Sequence, residues 1–212
     1  MAAFVTLTLV AVFVLFCRAL RKLGTGYGYI PSAELLRSLI AKPRGDKGLP
    51  DVRVRQITCC QIIIGFIGIG NMGGAISANL SNAGYHIVGY DIAGTAERVP
   101  EGATVGLSAG NVATQSDIIM MSLPDGHIVQ EVTEEIIATN DRRSTTIIDV
   151  STSGVAAARA ASARCRDSEI AFYDAPVSGG VPGAKAGTIS IMFAGPEEAF
   201  ERLKPIMEII GV

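Results

Sequence analysis

Residues 61–212 of this sequence predict an α/β fold, a doubly wound and mainly parallel sheet. Three observations carry that prediction. Continuous apolar runs alternate with helix-like segments from Gln61 onward, as strands covered on both faces require. A glycine cluster, Gly68, Gly70 and Gly73, separates the first run from the first helical pattern. An acid, Asp91, closes the second run.

The elements follow in order. IIIGFIGI, Ile62 to Ile69, has the length and Ile content of a buried strand. Met72 to Ala83 is a helix with Met72, Ile76, Leu80 and Ala83 on one face. HIVGY (86–90) is the second strand, Thr95–Arg98 a short helical piece, and Ala103–Val105 a third strand. DIIMMSL (117–123) is the fourth, leading into a helix over Val129–Ala138. TTIIDV (145–150) and IAFYD (170–174) flank a helix over Gly154–Arg166. TISIMF (188–193) is read as a seventh strand, and a last helix starts near Pro196 and runs to Ile210. The succession is that of a Rossmann-type fold.

The first sixty residues do not share this pattern. Ala2 to Phe16 carries no charge and is followed by Arg18, Arg21 and Lys22. Roughly 17–25 apolar residues cross a bilayer, so the run reaches that length only by extension to Leu20. Residues 1–23 therefore read as a membrane anchor or targeting segment. The basic flank after the run keeps the main domain cytosolic if the segment is an anchor. Removal of the segment instead leaves a cytoplasmic or mitochondrial protein. Residues 24–60, punctuated by GTGYGYIPS and KPRGDKGLP, read as a flexible linker.

Composition narrows the function classes. Residues 1–60 hold nine basic and three acidic side chains, the rest nine basic and seventeen acidic. An acidic main domain leaves no electrostatic footprint for nucleic acid. Cys17, Cys59, Cys60 and Cys165 form no CxxC pair, so neither a zinc site nor a disulfide scaffold is expected.

The glycines carry the chemistry. Gly68 permits a tight turn, Gly70 lets the backbone approach a pyrophosphate, and Gly73 lets helix and strand pack closely. The intervening Ile69, Asn71 and Met72 contribute backbone N–H groups where the helix begins. Asp91 is placed to accept bonds from ribose hydroxyls and to repel a 2′-phosphate, which favours NAD over NADP. Arg98 keeps NADP open.

These residues resemble the β-hydroxyacid dehydrogenases, typified by 3-hydroxyisobutyrate dehydrogenase, with a cofactor-domain signature shared with 6-phosphogluconate dehydrogenase. FIGIGNMGGAISANL (66–80), MSLPD (121–125), DVSTS (149–153) and DAPVSGGVPGAKAGT (174–188) occur in the family's order. The resemblance implies that Leu123 and Pro124 line the cofactor and that Thr152 touches it near the nicotinamide. It implies that Ser178, Gly179 and Gly180 receive a substrate carboxylate. Consecutive glycines after a strand end form an anion nest, which agrees. Ile128 stands where the family often has a polar residue.

In the family a lysine takes the hydroxyl proton, on a long helix after the Rossmann domain; that position lies beyond Val212. Lys185, Lys204, His86 and His127 are the other titratable candidates, and none is an evident replacement, so no catalytic residue is assigned within the chain. The C-terminal helical domain is absent from the sequence as it stands. The expected function is the NAD(P)-binding domain of a hydroxy-acid oxidoreductase, inactive alone on a small hydroxy acid. The alternatives are a non-catalytic, membrane-tethered NAD(P)-binding module and a truncated product with an unrelated leader.

Overall fold

A computed structural model describes residues 62–212. The apolar run over Ala2–Leu20, the linker over 24–60, and Cys17, Cys59 and Cys60 lie outside the described residues. Among the described residues no helix is long and apolar enough to cross a membrane.

The chain runs β1 (Ile63–Ile67), α1 (Asn71–Asn82), β2 (His86–Tyr90), β3 (Thr104–Val105), α2 (Ala109–Gln115), β4 (Ile118–Met121) and α3 (Gly126–Ala138). It continues through β5 (Thr146–Asp149), α4 (Val155–Asp167), β6 (Ala171–Asp174), β7 (Val177–Ser178), α5 (Gly180–Ala186), β8 (Ser190–Ile191) and α6 (Glu197–Ile210). Six strands form one sheet in the order β3-β2-β1-β4-β5-β6, and every pair is parallel. The strand order reverses between β1 and β4. In such sheets a crevice opens there, outside the carboxyl ends of the strands.

Strand alternation divides the core into two layers. Ile64 and Phe66 of β1, Met120 of β4 and Ile148 of β5 pack with Ile76 and Leu80 of α1 and Leu203 and Ile206 of α6. The neighbouring residues Ile67, Ile119, Met121 and Ile147 face the other way, onto Val112 of α2, Val129 and Ile136 of α3, and Ala161 of α4. Both faces are thus dry, which is why the strands read as unbroken apolar runs.

Five elements differ from the sequence expectation, the unanticipated β7 among them. Thr95–Arg98 is a turn, not a helix. The helix α2 was not anticipated; it is capped by the Ser108 side chain, which accepts from the Asn111 N–H at 3.0 Å. Residues 180–186, expected as a glycine-rich connection, form α5. The run TISIMF does not join the main sheet: β8 pairs antiparallel with β7 in a separate two-stranded sheet. Its residues alternate between covered and exposed from Thr188 to Phe193, whereas the central strands β1, β4 and β5 are covered on both faces. That period of two was the signal against membership in the buried sheet.

Candidate functional site

The turn from β1 into α1 is held by backbone geometry. Gly68 donates its N–H to the Tyr90 carbonyl at 2.9 Å and has φ of 86°. A Cβ there would lie 2.2 Å from the Ser122 carbonyl oxygen. Gly73 has no such dihedral, but a Cβ there would lie 2.0 Å from the Gly68 carbonyl oxygen. Gly70 is different from both. Its φ is −73°, open to any residue, and a Cβ would meet nothing within 4 Å. Neither conformation nor packing within the protein explains a glycine at position 70. It faces open space at the start of α1, whose first turn has no side-chain cap and no acid, so backbone N–H groups point outward without a partner of their own.

That space is a cavity of about 630 Å³ at the crevice, within the range of pockets that hold small ligands. Gly68, Gly70, Asn71, Met72 and Gly73 form one wall, Tyr90, Asp91 and Ile92 a second, and Ser122, Leu123 and Pro124 a third. Of the fourth wall only Ile128 was anticipated. Ile128, Glu131, Val132 and Glu135 of α3 line it, spaced i, i+3, i+4, i+7 on one helical face. The stripe was present in the sequence as an apolar–acid face; its two glutamates disguised it. Three acids and no cation line the cavity.

Asp91 sits at the end of β2 with a side chain 10% exposed. Its Oδ1 accepts the Ala93 N–H at 2.8 Å, and its Oδ2 lies 3.8 Å from Arg98 Nη1. Thr95 Oγ1 accepts the Asp91 N–H and donates back to the Asp91 carbonyl, both at 3.0 Å. The acid is therefore fixed in place by its own loop.

Leu123 is fixed from the next strand. Its N–H donates to Ser151 Oγ at 2.8 Å, and the Ser151 hydroxyl hydrogen-bonds the carboxylate of Asp149. Asp149 is fully buried and also accepts the Ser151 N–H at 3.0 Å and the Ser153 hydroxyl at 3.1 Å. Sequence reasoning missed Ser151 and Asp149 as the supports of the Leu123 loop. Asp125 of the same motif caps α3, accepting from the N–H groups of His127 (2.8 Å) and Ile128 (3.0 Å).

Burial pushes the Asp149 carboxyl above the ordinary carboxylate range, partly offset by its serine hydrogen bonds. Burial and the Asp149 charge push Asp174, its register partner on β6, in the same direction. A carboxyl raised in the fold favours its neutral form there. Its contribution to stability is fully present below the unfolded-state pKa and is lost as pH rises through the folded one. Asp149→Asn keeps the size and the acceptor for Ser151. We expect its urea midpoint to gain on wild type as pH rises from about 4 to about 7; midpoints that run parallel would refute this.

The other predicted residues are not gathered at the cavity. Ile69 is buried and borders a second cavity on the flank of α1. Thr152 is exposed in the loop after β5 and does not line the nucleotide cavity. Ser178, Gly179 and Gly180 are exposed where β7 turns into α5, with φ of 131° and 63° at the two glycines. His127 lines a groove between α3 and α4 and lies 3.6 Å from Glu131. Cys165 is buried and its thiol is pushed up to about 12, chiefly by burial, so it is not a nucleophile.

A strand–glycine turn–helix cradle, a fixed acid on β2 and an open crevice at the strand-order reversal fit a dinucleotide. Comparison with known proteins agrees: residues 63–212 match the family model described as the NAD binding domain of 6-phosphogluconate dehydrogenase. The chain belongs to that family. Its match to the cofactor-binding part of the β-hydroxyacid dehydrogenases extends to individual relatives. A probable 3-hydroxyisobutyrate dehydrogenase of Mycobacterium tuberculosis is 38% identical over 147 residues, 68% of this chain and 50% of that protein. The mitochondrial 3-hydroxyisobutyrate dehydrogenase of Drosophila melanogaster is 35% identical over 150 residues, 70% of this chain and 46% of that protein. A solved structure of M. tuberculosis 3-hydroxyisobutyrate dehydrogenase with L-serine superposes with a TM-score of 0.66 at 36% identity, covering 72% of this chain and 53% of that one. The NAD(P)-binding chain thus spans about half the length of the curated relatives it matches.

Proposed function

We propose that residues 61–212 are the cofactor-holding domain of an oxidoreductase that interconverts a small 3-hydroxy acid and its semialdehyde. Residues 1–23 and 24–60 are a separate leader and linker. The observation that carries the cofactor reading is Gly70, whose missing side chain nothing inside the protein requires. The N–H groups of Asn71, Met72 and Gly73, at the positive end of α1, take the diphosphate oxygens. Asp91 accepts from a ribose hydroxyl, and Ile92, Ile128 and Val132 supply apolar walls for the adenine. Leu123 and Pro124 border the path toward the nicotinamide, and Thr152 contacts that end. When bound, the nicotinamide supplies the hydride acceptor. Ser178, Gly179 and Gly180 hold the substrate carboxylate with a hydroxyl and backbone N–H groups. The names of the relatives and the L-serine in the solved one support a small 3-hydroxy acid as the substrate class.

No base is assigned. Lys185 and Lys204 are the lysines among the described residues. Lys185 borders the second cavity, and Lys204 lies 3.9 Å from Glu201; neither lines the nucleotide cavity. The 212-residue chain is therefore expected to bind NADH at roughly micromolar Kd and to show no oxidation of 3-hydroxyisobutyrate or L-serine. Calorimetry and a cofactor-absorbance assay check the two halves separately. Turnover that His127→Ala abolishes would sink the missing-base reading.

A further inference from the structure

We propose that Asp149 is a positioning residue for the cofactor. Through Ser151 its ionised carboxylate sets the Leu123 backbone beside the glycine turn, so dinucleotide affinity depends on the charge of a buried acid. The inference rests on the cofactor reading above.

The geometry is a chain of hydrogen bonds across the carboxyl edge of the sheet. Asp149 ends β5 and is fully buried. Ser151, also buried, donates its hydroxyl to that carboxylate and accepts the Leu123 N–H at 2.8 Å on the same oxygen. Leu123 lines the nucleotide cavity, and its Cδ2 lies 3.1 Å from where a Cβ on Gly68 would stand. One buried acid is thus tied, through one hydroxyl, to the residue packed against the turn that leads into α1.

The partners of Asp149 select its charged form. The Ser151 N–H, the Ser151 hydroxyl and the Ser153 hydroxyl all donate to it, and an ionised carboxylate only accepts. The Ser151 proton is then committed inward, and the oxygen keeps a lone pair for Leu123. A protonated carboxyl brings a donor of its own. If Ser151 takes that proton, its own hydroxyl hydrogen is displaced from the acid and left without a set partner beside the Leu123 N–H. Burial alone favours the neutral acid, so packing does not explain this donor set. Asp174, the register partner on β6, is the charged group facing Asp149. On the other side β4 presents Met121, and the first turn of α4 carries no charge. At the start of α3, Asp125 is turned onto its own helix, and His127 is exposed beside Glu131. Neighbouring carboxyls resist joint ionisation, so the last proton belongs to the Asp149–Asp174 pair.

The test is the NADH Kd of the full chain from pH about 4.5 to about 8, for wild type, Asp149→Asn, Ser151→Ala and the double variant. Asparagine supplies an acceptor without the charge and stands in for the protonated acid. The cavity acids Asp91, Glu131 and Glu135 titrate in every sample and cancel in a ratio of Kd values. The ratio of Asp149→Asn to wild type should start near one at the acid end. It should climb to roughly fivefold at the alkaline end, the difference between a charge-assisted and a neutral hydrogen bond. Stability should move the other way, with Asp149→Asn gaining on wild type over the same range; a merely structural role would move the two together. In the Ser151→Ala background, Asp149→Asn should change Kd by less than about twofold at any pH. Thermal melts at each pH confirm folding, and should Asp149→Asn not fold, the ratio of Ser151→Ala to wild type should show the same climb. A ratio that stays flat across the range, or an Asp149→Asn effect that persists in full without Ser151, overturns this inference and leaves the cofactor reading standing. If wild type binds NADH at no pH, the cofactor reading falls and this one falls with it.

Discussion

Gly70→Val is expected to weaken NADH binding by at least about 100-fold while the protein stays folded. The diphosphate loses two or more charge-assisted bonds to backbone N–H groups, each contributing about 1.5–3 kcal/mol, and about 2.7 kcal/mol already corresponds to 100-fold in Kd. The fold should tolerate the change. A Cβ at position 70 meets nothing within 4 Å, and φ of −73° is ordinary for valine. What remains is a poorer residue at the start of α1, a cost of about 1 kcal/mol, or a fall of roughly 2–4 °C in Tm for a chain of this size. Calorimetric titration with NADH, beside a thermal melt of the same sample, separates the two effects. Unchanged affinity in a folded sample would remove the diphosphate from α1 and with it the cofactor assignment.

Much of this architecture was legible in the residues themselves. Strands buried on both faces appear as apolar runs, and β1, β2, β4, β5 and β6 all read that way. The glycine turn was legible because three glycines perform three different tasks at fixed spacing, and the structure separates those tasks by dihedral, clash and open space. Elements made of small residues were not legible. In α2, AGNVATQ, only Val112 is bulky, so no hydrophobic periodicity forms; the usable signal was Ser108 ahead of it, a residue type that caps helices. In α5, two glycines and Pro182 within seven residues argue against a helix by propensity, yet the proline falls in the first turn, where its missing N–H costs nothing.

The candidate site divides along the same line. Contacts made by backbone groups, at Gly68, Gly70 and Gly73, follow from local sequence. Contacts made by side chains from elsewhere in the chain do not. Glu131 and Glu135 reach the cavity from α3, and Ser151 supports Leu123 from 28 residues away. Arg98 shows the difference most clearly. Its closeness to Asp91 is foreseeable from the intervening turn. Its place at the second cavity with Lys185 depends on α5 packing beside α1, where the Asn79 side chain donates to the Ala184 carbonyl at 2.8 Å.

Gly73 and Gly74 are neighbours in the same helix, and alanine at each is expected to act in opposite directions. At position 73 a Cβ would lie 2.0 Å from the Gly68 carbonyl oxygen and 2.8 Å from the Phe66 ring. Gly68 cannot yield: its N–H is bonded to Tyr90, and its own φ of 86° leaves the turn little room. Phe66 cannot yield either, being fully buried between α1 and the sheet. Relief requires α1 to move away from β1, opening the packed layer that holds Ile76 and Leu80. Overpacking against backbone lies at the upper end of the usual range, about 3 kcal/mol, or roughly 6–12 °C in Tm. At position 74 the nearest atom to a new Cβ is the Ile69 carbonyl oxygen at 3.4 Å, an ordinary contact. Alanine there removes a flexible residue from a helix and should stabilise by about 0.5–1 kcal/mol. The two single variants, compared by urea midpoint, test the packing of the turn without reference to any ligand. Equal effects at the two positions would mean that the close approach of α1 to β1 is not what position 73 requires.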